Sequence, residues 1–456
     1  MESNKSKELR HRARRKSIEE GIFTSARSSF GENYISPFAI AINSSNSLVA
    51  LLSSVSGIIG PLTQTFSSKL MEKYPRKKIV IKSVFFECLT WLLFVLVAFL
   101  FYKGIFVMAL PLMLLLFFSI HTIFTNSPSP AWFSWHGDLV DEEFRGRWFS
   151  KRGLIMGFVT IVFTIAAALF LDYTKRNGLV MIGFIFLFIM AFAARTISLR
   201  IFKRMYEPKI KLKIRDYFSF HDFLTKAPTN NFGRFAIFTG FLDFATYISL
   251  PFVTVYLLRY LDFSYITYMM VMLLGHLLSL FFLGLWGKIA DRYGNYVVLH
   301  ITSAMITLIP ILWVLNPSPL YLAFVPSLVS GISRTGFELA RKDFIYDNVR
   351  KEKRGFAVSY YGLVSGIGVF FGAGLGALLI KFLDTSFVEP IILIFFISGL
   401  LRMLVVFFGI KKIKEMKKAK RFRGRRSFMW IMSKEAKPTI IEEFHEIRYI
   451  DHYLKK

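Results

Sequence analysis

Nine ionisable side chains stand inside stretches that are otherwise apolar: Glu32, Glu87, His121, Arg195, Asp243, His276, Arg334, Glu338 and Arg402. A charge at membrane depth is costly unless a wet cavity or a partner receives it, so each marks either a site or a buried pair. Glu32 and Asp243 stand apart from the rest. Both precede the same tripeptide, Tyr-Ile-Ser, at 34–36 and 247–249. A carboxylate lining a low-dielectric cavity can load and unload a proton, and it can equally hold a cationic group or sodium. The structural alternative is a carboxylate tied to a base or hydroxyl.

Arg334 and Glu338 are four residues apart, which puts them on one helix face and favours a pair. If Arg334 were free of Glu338, it could hold an anionic solute. His121 and Asn126 lie in the same apolar run and are candidate cavity residues. Arg195 and Arg402 fall late in their runs, where long side chains can snorkel to the headgroups. Glu87 has no account from the sequence.

These residues need helices to carry them. The chain has 456 residues, 54% of them hydrophobic, with 51 Phe. Its apolar residues come in runs of about 20, the length that crosses a bilayer core. Twelve spans are expected at 22–44, 46–67, 79–101, 105–127, 153–172, 178–200, 233–257, 264–286, 296–315, 319–340, 356–381 and 388–410. Spans one, four, seven and ten are the least apolar and are expected to line something wet. This excludes a soluble enzyme, a disordered chain and a nucleic-acid binder as first readings. The single cysteine, Cys88, excludes a disulfide framework and a Cys-rich metal site. The charged start, MESNKSKELRHRARRKS, lacks the apolar core of a signal peptide.

The net charge of +28 has a topological cause. Of 58 Lys and Arg, five (Lys103, Lys175, Arg176, Arg259 and Lys381) fall on one side of the expected spans. The rest fall on or toward the other, which the positive-inside rule makes cytoplasmic, with both termini.

The chain also repeats itself. SKLMEKYPRKKIV (68–80) follows span two and GKIADRYGNYVVL (287–299) follows span eight. Asp138 with Arg145-Gly146 follows span four, and Asp347 with Arg354-Gly355 follows span ten. With the Tyr-Ile-Ser pair, three matches at offsets of 219, 213 and 209 mark an internal duplication. Two six-helix halves joined by a basic linker is a transporter layout.

On these residues the chain resembles the major facilitator superfamily over about 21–410. That family places Gly-x-x-x-Asp-Arg-x-Gly-Arg-Arg/Lys after spans two and eight. The second copy here keeps Gly287, Asp291, Arg292 and Gly294. The first departs, with Ser68, Glu72, Lys73 and Pro75 at the matching places, and keeps Arg76-Lys77. The resemblance implies an all-α polytopic membrane protein of 12 transmembrane helices in two pseudo-symmetric six-helix bundles. It also implies a cavity lined by spans 1, 4, 7 and 10, and alternating access. Span four lacks Arg-Gln-Gly and span five lacks the Gly-Pro signature of drug antiporters, which weakens that reading.

Glu72 and Asp291 sit alike in both halves beside basic residues, so they are expected to act as charge latches on the cytoplasmic side, with Lys73, Arg76 and Arg292. Glycines four apart in span eleven, such as Gly362 and Gly366, suit close helix packing. Trp132 and Trp135 suit the interfacial aromatic belt.

The expected organisation is a basic N-tail (1–20), a first bundle (21–200), a cytoplasmic linker (201–231), a second bundle (232–410) and a polybasic C-tail (411–456). The tails suit anionic lipid. No Walker-type loop and no clustered catalytic set occurs, so neither ATP drive, nor an enzyme, nor a cofactor or metal is expected. The reading is a secondary transporter (symporter or antiporter) of a small solute in the cell membrane, expected to be a monomer and coupled to H+ or Na+ if Glu32 or Asp243 carries an ion. A lipid flippase on the same fold, a membrane-embedded transferase and a solute sensor are the rivals.

Overall fold

The computed structural model describes residues 4–141, 145–208, 220–350, 354–383 and 389–415. The expected C-tail beyond residue 415 and linker residues 209–219 lie outside the described residues. So do the side chains of Arg145, Arg354 and His276.

The described residues are helical, with no strand among them. In order they form α1 (Asn4–Phe30), α2 (Ile35–Ala41), α3 (Asn46–Leu70), α4 (Arg76–Tyr102), α5 (Leu110–Asn126) and α6 (Ser129–Gly137). Next come α7 (Arg145–Arg176), α8 (Val180–Lys203), α9 (Phe220–Lys226), α10 (Asn231–Tyr247), α11 (Phe252–Val255) and α12 (Tyr265–Tyr293). The last are α13 (Asn295–Leu315), α14 (Pro319–Phe324), α15 (Pro326–Asn348), α16 (Arg354–Phe382) and α17 (Pro390–Gly409). Nine stretches among the described residues are long and apolar enough to cross a membrane. The other three expected spans coincide with α1, α12 and α14–α15. α1 and α15 carry too many polar residues for the same test, and the apolar part of α12 is the shorter Tyr265–Gly275.

Spans one, four, seven and ten are each interrupted. α1 ends at Phe30, a single 3-10 turn covers Glu32–Tyr34, and α2 follows. α5 gives way to α6 at Ser127-Pro128, α10 to α11 at Ile248–Pro251, and α14 to α15 at Val325-Pro326. Proline explains three of the breaks, because it lacks the N–H and clashes with the preceding turn. At the first break, Gly31 packs against Trp91. A Cβ added at Gly31 would lie 2.2 Å from the Trp91 ring. The two interruptions in spans one and seven fall on the repeated Tyr-Ile-Ser.

Two compact units form. The first comprises the described parts of Met1–Ile214, Leu250–Met269 and Val369–Asp384. Its core packs Phe38 on Phe184 and Phe188, at 5.2 and 5.0 Å between ring centroids, with Trp91 and Phe94 beside them. Trp135 is fully buried there and donates from Nε1 to the Tyr206 carbonyl at 3.0 Å. It therefore belongs to the core and not to the interfacial belt expected for it. The second unit comprises the described parts of Arg215–Ser249, Met270–Gly368 and Thr385–Lys456. Phe235 packs on Phe344 at 4.6 Å and on Tyr361 at 5.7 Å in its core.

Candidate functional site

The broken end of α1 carries a run of alternating charges into the first unit. Arg152 Nη2 (α7) lies 3.2 Å from Glu20 Oε2, and Arg195 Nη1 (α8) lies 3.7 Å from Glu20 Oε1. Arg195 Nη2 then donates to Glu87 Oε2 (α4) at 2.6 Å. Arg27 Nη1 donates to both Glu87 Oε1, at 2.6 Å, and Glu32 Oε1, at 2.7 Å. His121 Nε2 (α5) ends the run, 3.8 Å from Glu32 Oε1. Three carboxylates meet three arginines, so the buried charge cancels. This is the condition under which ionised groups survive in a low-dielectric interior.

Glu87 is 0% exposed and Glu32 is 31% exposed, so the end at Glu32 is the open one. Ser28 donates to the other Glu32 oxygen at 2.9 Å. Glu87 thus has a physical role that the sequence leaves blank: it is the shared anion of two arginines. Arg195 is buried by these partners and does not snorkel, contrary to the expectation above. Glu20, Arg27 and Arg152 are members that the sequence reading missed.

His121 carries a hydrogen on Nδ1. Thr90 donates its one hydroxyl hydrogen to the Glu87 carbonyl at 2.6 Å, so at 2.7 Å it must accept from His121 Nδ1. His121 Nε2 lies 3.2 Å from the Thr125 hydroxyl. Asn126 is committed elsewhere, accepting from Gln64 at 3.0 Å and donating to the Thr122 carbonyl at 2.9 Å.

The second unit holds Asp243 on α10, accepting a hydrogen bond from Ser365 on α16. Its charged neighbours are Arg341, Glu338 and Arg334. Glu338 pairs with Arg341, three residues on, and not with Arg334 as its spacing suggests. Arg334 is exposed and lies beside Tyr247. Among the described residues, no ion pair reaches Asp243.

Arg402 also departs from expectation. It is buried, and it donates to the Thr246 carbonyl at 3.1 Å, the Ile306 carbonyl at 3.1 Å and the Ser249 hydroxyl at 2.9 Å. Thr246 sits where α10 breaks, and a broken helix leaves carbonyls without their usual partners. The arginine finds acceptors inside and has no need of the headgroups.

The motif residues after α3 and α12 divide by burial. Glu72 and Lys73 are exposed. Arg76 is buried and donates to Asp138, to the Ser134 carbonyl at 3.0 Å and to the Pro208 carbonyl at 3.0 Å. Glu207 accepts from the Lys77 N–H at 3.3 Å. The second repeat builds the same corner. Asn295 donates to Asp347 at 2.8 Å, and Glu415 accepts from the Tyr296 N–H at 2.7 Å. Gly294 (φ 89°) supplies the turn into α13, and a Cβ there would lie 2.3 Å from the Glu415 carboxylate. Nothing lies within 4 Å of a Cβ added at Gly287. Asp291 and Arg292 both have interaction partners.

The family model described as Major Facilitator Superfamily matches residues 22–340 and 235–444. No curated protein matches the chain. Among solved structures, the nucleoside transporter NupG is similar, with a TM-score of 0.66 at 13% identity over 89% of this chain and 98% of that one. A bacterial homologue of the iron transporter ferroportin, in an inward-facing state, gives 0.65 at 17% identity over 88% and 98%. A D-xylose-proton symporter gives 0.65 at 14% identity over 90% and 98%. At such identities the likeness is one of fold.

Proposed function

The chain belongs to the major facilitator superfamily, and on that footing we propose that it is a secondary transporter that moves a small solute across the cell membrane by alternating access, coupled to protons through Asp243. The observation that carries the proton reading is the contrast between the two candidate acids. Glu32 has Arg27, Ser28 and His121 around it, so a proton on Glu32 would break an ion pair. Asp243 has a serine hydroxyl, and its basic neighbour Arg341 is already paired with Glu338. Taking up and releasing a proton at Asp243 breaks no ion pair, which suits a group that must cycle. Glu32 then serves as a fixed charge at the open end of its network, available to a solute.

Both termini are cytoplasmic in this reading, and the basic tails lie on anionic lipid. The experiment is uptake into proteoliposomes, with an imposed pH or sodium gradient and a panel holding nucleosides, pentoses and ferrous iron. A pH gradient is expected to drive uptake of at least one solute. Asp243→Asn should remove that drive while leaving solute exchange at equilibrium. Uptake that follows sodium and ignores pH would reject Asp243 as a proton carrier.

A further inference from the structure

The first unit includes two segments, Leu250–Met269 and Val369–Asp384, that belong to the second repeat of the sequence. Ser54 on α3 donates to the Phe370 carbonyl of the later segment at 2.8 Å, and the earlier segment is tied more heavily. Asp172, near the end of α7, is buried, and it uses both oxygens on the first turn of α12. Oδ1 accepts from the Tyr265 N–H at 2.8 Å and Oδ2 from the Ile266 N–H at 2.9 Å. These are N–H groups that a helix cannot satisfy internally, and they form the positive end of its dipole. Ser264 satisfies the next N–H itself, accepting from Thr267 at 3.2 Å.

Nearby, Arg259 donates to the Ser44 carbonyl at 2.8 Å and to Asn46 Oδ1, at the start of α3. Lys175 and Asp262 add a pair at 3.6 Å, but both are exposed and contribute little. All these residues lie at the end of the first unit away from residue 4. That is the outer face in the topology proposed above.

We infer that Asp172 is a positioning residue of the transport cycle, a carboxylate latch that holds the first turn of α12 and keeps the outer face shut. The inference rests on the alternating-access reading. Opening the outer face by parting the repeats requires α12 to leave Asp172, and water must then solvate both the carboxylate and the two freed N–H groups. Arg259 is the second tie, because its guanidinium fixes the π-helical turn Tyr256–Tyr260, which leads toward α12, to the turn before α3. Asp172 uses its charge against the helix dipole, so an amide of the same shape weakens the latch. A glutamate, which keeps the charge, preserves it.

The chain suits a cysteine-labelling test, because Cys88 is its one cysteine and is buried. In a Cys88→Ser background, Thr254→Cys reports from beneath the latch, where Thr254 is buried against Tyr268. Half-buried Ser68→Cys reports from the opposite end. The full chain is labelled with a membrane-impermeant maleimide in right-side-out vesicles to read position 254 and in inside-out vesicles to read position 68. Asp172→Asn is expected to raise labelling at position 254 roughly tenfold and to lower it at 68, and Asp172→Glu to restore both. If the asparagine variant leaves position 254 unlabelled, the latch is overturned. It is overturned equally if labelling rises at both positions, since that reports a loosened fold. A rise at 254 with no fall at 68 keeps the latch and removes alternating access. If Asp172→Asn does not assemble, Arg259→Gln is the second variant and must move the two reporters in the same opposite senses.

Discussion

Glu87 touches two arginines and has no exposed surface, so its loss strands more charge than loss of Glu32. In Glu87→Gln, the one carboxylate left to Arg27 is Glu32, and the one left to Arg195 is the more distant Glu20; their other partners are the neutral hydroxyls of Ser28, Thr24 and Ser198. Breaking a buried pair on one side costs about 3–5 kcal/mol. Glu32→Gln should cost clearly less, because Arg27 retains Glu87. Thermal unfolding of the purified protein compares the two directly, and equal losses would sink the network as described. Part of this cluster can be read from sequence. Glu32, Glu87 and His121 stand out because the membrane penalises them. Glu20, Arg27 and Arg152 do not, because they lie near span ends, where topology already accounts for charge. Their helical spacing carries the missing signal: Glu20, Thr24 and Arg27 are four and three apart and share one face of α1. Asp243 is legible as an ionisable residue, but the choice of Arg341 over Arg334 by Glu338 depends on side-chain directions that spacing alone does not decide.

Four interrupted helices distinguish spans one, four, seven and ten from the rest, and the interruptions differ in how openly the sequence announces them. Pro128, Pro251 and Pro326 mark three of them. The first, at Gly31, depends on a close approach to Trp91 across sixty residues of chain, which no local pattern records. Gly31→Ala therefore tests the element rather than the charge network. Its Cβ has no room against the indole, and overpacking of this kind costs about 1–3 kcal/mol. The expected result is a lower unfolding temperature. Trp91→Phe, which trims the ring, should recover part of the loss in the double variant. An alanine variant as stable as the parent would show that the indole swings aside freely.

At the scale of the whole molecule, the duplication seen as three short matches proves to be a duplication of contacts. Arg76–Asp138 and Asn295–Asp347 occupy equivalent corners, and Glu207 and Glu415 stand over equivalent helix starts. Arg195 and Arg402 are buried near equivalent places on α8 and α17, though one answers carboxylates and the other a broken helix. Sequence shows the repeat because these positions keep their residue types. It hides the fact that the far ends of second-repeat helices group with the first unit, because Asp172 reaches backbone N–H groups, which leave no trace in side-chain pattern. The charge run on α1 also has a consequence for the birth of the protein. Arg27 leaves the ribosome sixty residues before Glu87, and Glu87 precedes Arg195 by a further 108. Until α4 and α8 are made, the first span has a net surplus of unanswered polarity and no reason to prefer lipid. A chain truncated after Ser45, before α3 begins, should be extracted from microsomes by carbonate, and one truncated after Lys203 should resist. The insertion machinery must therefore shelter the first span through the synthesis of the next five spans.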